Sequence, residues 1–572
     1  MRRLVVTAPP ETTAPRRGSW LPTQRRGPIA KSTLPRRRVV RCGLSVTGFG
    51  LSAVFYCLSF TPSLLPRSWF LQGVVAGLTA VLGYAAGTAI GALVRLRCWP
   101  SRRVELIAWR LLFALVPVLI LIFLWLGTRW QRDLRIRLGM EPQQEYDAMR
   151  TVGVSLLTFG LLLLTARLLR LAAHGIARLL ERLVPESAAY CAGFVVVTVL
   201  SYGAFDGLLV DSLYTTADRS AAITDSGTGS GVVRPDSVLR SGGPGSLVSW
   251  DSLGRQGRNF VTKAPTPRQI TDFTGRPAAE PIRLYAGLAS AGDVRQRAGL
   301  LVREMERTGA FDRAVVAVFT PTGTGWVDND VTSSLEYMYG GDTALVSMQY
   351  SYLPSALCFL FGRTQVVDAA SALITAVHDR WAAMPAGARP KLLIFGESLG
   401  TYGTEHTFGT AEKMVAGADG ILLEGPTFAN PIHQRLTRDR AEGTPVWDPS
   451  YPALPIEFAS RAEELRSRSG PPPKVVYMQN SSDPVVWVSP SLLWHRPQWL
   501  HGERGPDVTP AMHWYPVITF WQTTVDLIFA NKAPTGHGHV YKSGTVDGWA
   551  ALAPPPGWTT ADTVRLRDLL DR

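Results

Sequence analysis

Cysteine is scarce in this 572-residue chain: five in all, at Cys42, Cys57, Cys98, Cys191 and Cys358, of which only the last lies beyond residue 211. The C-terminal part therefore holds no internal disulfide. That excludes a small secreted scaffold held by bridges, though not an oxidising compartment. No Cys-x-x-Cys pair or Cys/His cluster offers a zinc site, and no metal or cofactor is expected. The C-terminal part also lacks a basic excess: residues 1–211 hold 26 Lys+Arg against 10 Asp+Glu, whereas the other 361 hold 33 against 35. The net +14 thus belongs to the first part alone. A nucleic-acid partner is disfavoured, because the part large enough for a globular domain carries no positive field.

What the sequence does have is apolar length. Hydrophobic residues make up 46% of the chain and are concentrated before residue 211. Five stretches approach the roughly 20 residues that a helix needs to cross a bilayer core: 43–63, 71–94, 107–127, 151–172 and 189–210. Residues 42–211 therefore read as a transmembrane helical region, preceded by a disordered basic tail over 1–41 that contains 10 Arg and 1 Lys. In the second stretch Gly73 and Gly77, and then Gly83, Gly87 and Gly91, recur every four residues, a ridge on which a neighbouring helix can sit closely. With a cytoplasmic N-terminus, the inner segments carry the tail, Arg95, Arg97, Arg102, Arg103, Arg170, Arg178 and Arg182. The outer ones carry Arg67, a mixed 129–150 loop and an acidic exit with Asp206 and Asp211. Positive charge is biased inward, and an odd number of spans places everything after residue 211 outside the cytoplasm.

Residues 212–280, rich in Ser, Gly, Asp and Pro, read as a flexible linker, with Trp250, Phe260 and Phe273 available to dock part of it on the next domain. From 281 to 572 short apolar runs alternate with amphipathic stretches, the pattern of βαβ units and a mainly parallel sheet. Strands are expected at 282–288, 314–320, 343–350, 391–396, 420–425 and 474–479, and helices at 291–308, 365–384, 399–416, 485–495, 517–530 and 560–571. Segment 427–470 interrupts the alternation and reads as a cap insert.

Gly396-Glu397-Ser398-Leu399-Gly400 fits G-x-S-x-G at the end of an apolar strand and the start of a helix, where a nucleophile elbow must lie. Glycines are needed because the turn is so tight that residues two before and two after the serine approach each other. A serine hydroxyl needs a base to take its proton and an acid to orient that base, the acid coming first in this order of elements. Asp483, in a loop just past the sixth strand, supplies the acid; its bland alternative is a cap on the helix that follows. The base comes from Thr535-Gly536-His537-Gly538-His539, with His537 the first choice for its flanking glycines and His539 the second. A metal site at these histidines is the rival reading, weakened by the lack of a flanking carboxylate or cysteine. For the oxyanion hole, one donor is the N–H of Leu399 and the other comes from Thr320-Pro321-Thr322-Gly323-Thr324-Gly325-Trp326, at Gly323 or Thr324. The same loop lacks the G-K-[ST] ending of a phosphate-binding loop.

The elbow GESLG, the segment DPVVWVSPSLLW and the terminal GHGHVY behind an apolar helix resemble the membrane-attached bacterial alpha/beta-hydrolase family with an N-terminal multi-span region. The resemblance runs over nearly the whole chain. It implies an N-terminal α-helical transmembrane bundle of about five spans followed by an α/β-hydrolase domain, a mostly parallel sheet flanked by helices with a cap insert. It also places Ser398, Asp483 and His537 or His539 in triad roles. The chain departs from simple hydrolases in having no clear strand directly before the histidine loop. The expected activity is that of a membrane-anchored serine hydrolase, esterase- or lipase-like, acting on a small-molecule or lipid ester, with peptidase and acyltransferase chemistry open to the same triad. The other class is a non-catalytic membrane receptor or assembly protein with a hydrolase-like binding domain, which would not need a triad and oxyanion loop in the right order.

Overall fold

The computed structural model describes residues 45–97, 101–142, 147–181, 185–203, 211–467 and 470–572. The basic tail, Cys42, Cys98, Arg182 and Asp206 lie outside these residues. Helices α1 (Val46–Leu58), α2 (Trp69–Arg97), α3 (Arg102–Arg137), α4 (Ala148–Leu180) and α5 (Glu186–Gly203) come first. The glycine ridge of α2 decides how they meet. A Cβ at Gly87 would stand 2.4 Å from the Thr47 carbonyl oxygen and one at Gly83 2.7 Å from that of Leu51, so α1 runs against α2 with backbones in contact. On the same helix a Cβ at Gly77 would stand 2.6 Å from the Ser155 carbonyl oxygen, and Gly73 meets Thr151 and Val154, so α2 and α4 run together.

Leu111, Phe113, Leu115 and Leu121 of α3 and Leu157, Leu161 and Leu164 of α4 point outward and exposed. Water disfavours such a surface and lipid accommodates it. Among the described residues, three helices are long and apolar enough to cross a membrane: α2, α3 and α4. The expectation of about five full spans is corrected for the first of them, on length. At 13 residues α1 is about 20 Å long, because the chain leaves the helix at Ser59 for a buried polar connection. The described apolar run of α5 is Cys191–Gly203, and residues 204–210 of the expected 189–210 span lie outside the described residues.

The 212–280 segment is folded rather than a free linker. It forms α6 (Asp211–Ser226), α7 (Gly254–Thr262) and α8 (Pro267–Thr274). Leu253, Phe260, Val261 and Ile270 are buried against Tyr285 and Phe319, with Trp250 and Phe273 packed at the margin. Arg258 ties α7 to the end of α6, donating to the Asp225 and Ser226 carbonyls at 3.3 and 3.0 Å. The low-complexity composition hid these anchors, which are single apolar residues spaced among Ser and Gly.

Seven strands follow: β1 (Ile282–Ala286), β2 (Val315–Thr320), β3 (Thr343–Met348), β4 (Lys391–Glu397), β5 (Gly420–Glu424), β6 (Ile456–Ala459) and β7 (Val475–Met478). Every pairing is parallel, in the order β1-β3-β2-β4-β5-β7-β6. Helices cover both faces, which is why the strands read as continuous apolar runs. Leu284, Val316, Val318, Leu392 and Ile394 enter one core, and Tyr285, Ala317, Phe319, Leu393 and Phe395 the other. The edge strand β6 was not expected. It lies inside the segment read as a cap insert, and its four residues are too few to show a period. Within this frame Arg283 of β1 is buried and gripped at both oxygens by Glu336, each bond 2.7 Å.

Candidate active site

The elbow lies where β4 ends and the helix Leu399–Phe408 begins, at the carboxyl edge of the sheet's central strand. Ser398 takes φ 54° and ψ −119° there, a strained backbone for a residue with a side chain. The flanking glycines approach as the turn requires. A Cβ on Gly396 would stand 2.9 Å from the Gly400 carbonyl oxygen, and one on Gly400 2.3 Å from the Thr320 carbonyl oxygen. The Ser398 N–H donates to the Glu424 carbonyl at the end of β5 (2.8 Å), pinning the turn to the next strand. Leu399 opens the helix, so its N–H belongs to the first turn, whose donors have no intrahelical acceptor.

Asp483 is fully buried just past β7. One carboxylate oxygen accepts the Val485 N–H at 2.8 Å, so the bland helix-capping role is real. The other accepts from His539 Nδ1 at 2.6 Å and from the Tyr541 hydroxyl at 2.8 Å. A capping aspartate and a histidine-orienting one are therefore the same residue, using different oxygens. The His539 N–H donates to the Ala530 carbonyl at 2.8 Å, and its ring lies over Gly425. Gly425 follows the residue whose carbonyl holds Ser398, so ring and serine flank the same end of β5. With Nδ1 occupied by Asp483, Nε2 is buried and has no protein partner among the described residues.

The structure joins Asp483 to His539, sets the His539 ring over Gly425 at the end of β5 that also holds Ser398, and leaves His537 apart. The acid thus meets the second-choice histidine and not the first. His537 Nδ1 lies 3.0 Å from Asp507, its side chain a quarter exposed. Its flanking glycines serve the loop's own turn, with Gly536 and Gly538 both at positive φ, and do not free the histidine for Asp483. A cavity of about 120 Å³ borders this loop, lined by His537, Asn480, Tyr541 and Arg461, and does not reach Ser398.

In the 320–326 loop, the Gly323 N–H donates to Ser355 Oγ at 3.0 Å and is therefore engaged. The Thr324 carbonyl accepts from Gln349 Nε2 at 3.0 Å, while its N–H has no partner among the described residues. Among the described residues no group of three or more His, Cys, Asp or Glu is arranged to hold a metal.

Three groups of the site went unread in the sequence. Tyr541 sat inside the quoted GHGHVY and Glu397 inside GESLG, but a motif does not show which of its letters touch the acid. Glu424 ends β5 in register with Glu397 on β4, so two carboxyls stand side by side beneath the elbow. Burial, then the Asp328 charge, pushes Glu397 up to about 8, and burial with Glu397 beside it pushes Glu424 well above the carboxylate range. Both shifts favour the protonated, uncharged form of the carboxyls under the serine. For His539, burial alone would lower the pKa. The Asp483 charge and hydrogen bond, with Glu397, outweigh it and hold the imidazole above its ordinary value.

Comparison with known families bears on the fold. Residues 282–566 match an alpha/beta-hydrolase family, and residues 60–265 match the N-terminal region described for that family. The chain belongs to this alpha/beta-hydrolase family. The N-terminal match ends at Pro265, after α7, and the other opens at β1. No curated protein and no solved structure matches the chain.

Proposed function

We propose that this alpha/beta-hydrolase is a membrane-anchored serine hydrolase that cleaves an acyl, lipid-like ester through Ser398, His539 and Asp483. The observation that carries the reading is the 2.6 Å bond between His539 Nδ1 and Asp483, with Nε2 left unpaired and the ring over Gly425, next to the Glu424 carbonyl that holds the strained Ser398. In this mechanism Ser398 Oγ attacks the acyl carbonyl carbon as its proton passes to His539 Nε2. Asp483 holds the ring's tautomer and steadies the imidazolium. The N–H groups of Leu399 and Thr324 receive the oxyanion. The imidazolium then protonates the departing alcohol oxygen. Water, activated by the same nitrogen, attacks the acyl-enzyme and releases the acid.

An amphiphilic substrate is favoured by where the site lies. The connection between α1 and α2 packs against segments flanking both Asp483 and His539, so the end of the apolar bundle lies against segments next to the site. The same geometry supports an extracytoplasmic hydrolase domain. Arg95, Arg97, Arg102, Arg103, Arg170 and Arg178 lie at the helix ends away from that connection, where a cytoplasmic face belongs. Hydrolysis of aryl acyl esters of increasing chain length by the full chain in vesicles tests the reading. Turnover that grows with chain length and vanishes in Ser398→Ala supports it; turnover equal in the two proteins rejects it. Protease added outside sealed cells, cutting or sparing the 440–450 loop, tests the side.

A further inference from the structure

A short connection between two membrane helices ordinarily meets water. Here residues 59–65 and Arg67, between α1 and α2, are buried. Several of their polar groups are held by the hydrolase domain. Asp526, the last residue of the helix Ile518–Asp526, accepts from Ser63 Oγ at 3.0 Å and from the N–H groups of Leu64 and Leu65 at 3.0 and 3.3 Å. Arg67 Nε lies 3.9 Å from the same carboxylate. One turn earlier, Gln522 Nε2 donates to the Ser59 and Thr61 carbonyls at 3.0 and 2.9 Å. A buried carboxylate with three donors and a guanidinium is costly to lose, because removing its partners strands a charge away from water.

Two routes lead from this connection to the active site. The chain continues from Asp526 into the helical segment Leu527–Lys532, which contains Ala530, whose carbonyl accepts the His539 N–H at 2.8 Å. Leu65 packs with Ala533 and comes within 3.5 Å of where a Gly538 Cβ would stand, one residue before His539. On the other side Leu64 enters the cluster of Val486, Trp487 and Val488, the residues that follow Asp483. Both partners of the 2.6 Å pair are thus backed by adjacent residues of one membrane-helix connection.

We propose that the α1–α2 connection is a positioning element of the active site: Ser63, Leu64 and Leu65, gripped by Asp526, fix the His539 segment and the Asp483 segment relative to each other. The bundle then does more than anchor, and a hydrolase domain separated from it lacks a wall of its own catalytic centre. The proposal rests on the reading of Ser398, His539 and Asp483 as a triad.

The test uses the full chain in detergent or vesicles. The rate at which a fluorophosphonate labels Ser398 is followed against pH in wild type, Ser63→Ala and Asp526→Asn, and normalised to the folded fraction. Displacement of a catalytic group by about 1 Å costs up to about 100-fold in rate, so about tenfold is expected for Asp526→Asn and about threefold for Ser63→Ala. The pH midpoint should move toward that of a free imidazole as the Asp483 contact loosens. Ser63→Ala removes one hydroxyl and decides the matter if Asp526→Asn fails to fold. Variants that melt earlier, yet label at the wild-type rate with the wild-type midpoint, show a purely structural contact and overturn the proposal. Absence of labelling in wild type itself overturns the triad reading instead, and the two failures are told apart.

Discussion

Gly425→Ala isolates the placement of His539 more sharply than removal of the histidine does. Gly425 has φ +57°, and a Cβ there would stand 2.4 Å from His539 Cε1 and 2.7 Å from Nδ1. Comfortable contact between such atoms begins near 3.5 Å, so the ring must retreat by roughly 1 Å. The bond to Asp483 is 2.6 Å long, and a retreat of that size away from the carboxylate takes it past hydrogen-bonding reach. The left-handed backbone adds about 1–2 kcal/mol of strain of its own. Gly275→Ala supplies the control: φ is +70°, and nothing lies within 4 Å of the added methyl. Both variants should lose similar stability from the backbone, but only Gly425→Ala should slow fluorophosphonate labelling at Ser398, by about 100-fold. Labelling of Gly425→Ala at the Gly275→Ala rate would refute the claim that His539, held against Asp483, is the base.

The two histidines should separate cleanly: His539→Ala abolishes ester turnover, while His537→Ala, which removes only the group facing Asp507, keeps it within about threefold; equal losses would contradict the assignment. Turnover should rise with pH to a plateau with a midpoint above the ordinary imidazole value of about 6.5, since Nε2 must be unprotonated. The same raised pKa means that the stability His539 contributes is complete below about 6.5 and lost as pH climbs through the folded value, so the melting temperature should ease down over the window in which activity rises. Glu336→Ala strands the buried Arg283 and should cost about 3–5 kcal/mol in thermal or denaturant unfolding of the hydrolase domain, with a loss under about 1 kcal/mol arguing that the pair is hydrated.

Much of the hydrolase half was legible because its signals are local. Each expected strand is an apolar run that the parallel sheet buries on both faces, and the elbow is announced by a pattern whose glycines have a steric cause visible in five letters. The α/β architecture and the neighbourhood of Ser398, Asp483 and the histidine loop followed from these. What stayed hidden depended on distant partners. His537 and His539 differ in sequence only by position, and only the folded loop shows that one ring faces Asp507 and the other Asp483. Glu397 and Glu424 are 27 residues apart and become a pair only through the β4–β5 register. The 212–280 segment looked unstructured because its folding rests on Leu253, Phe260, Val261 and Ile270 finding a sheet that forms later in the chain. The connection after α1 read as the tail of an apolar span because Ser59, Thr61 and Ser63 reveal their role only against Gln522 and Asp526.

The central claim, that Ser398 is a nucleophile activated by His539, is met most directly by mass mapping of a fluorophosphonate adduct on the full chain in its membrane. A single adduct on Ser398, absent in Ser398→Ala and strongly reduced in His539→Ala, is the predicted result. Folded protein that takes up no label, or takes it up undiminished without Ser398, would contradict the account.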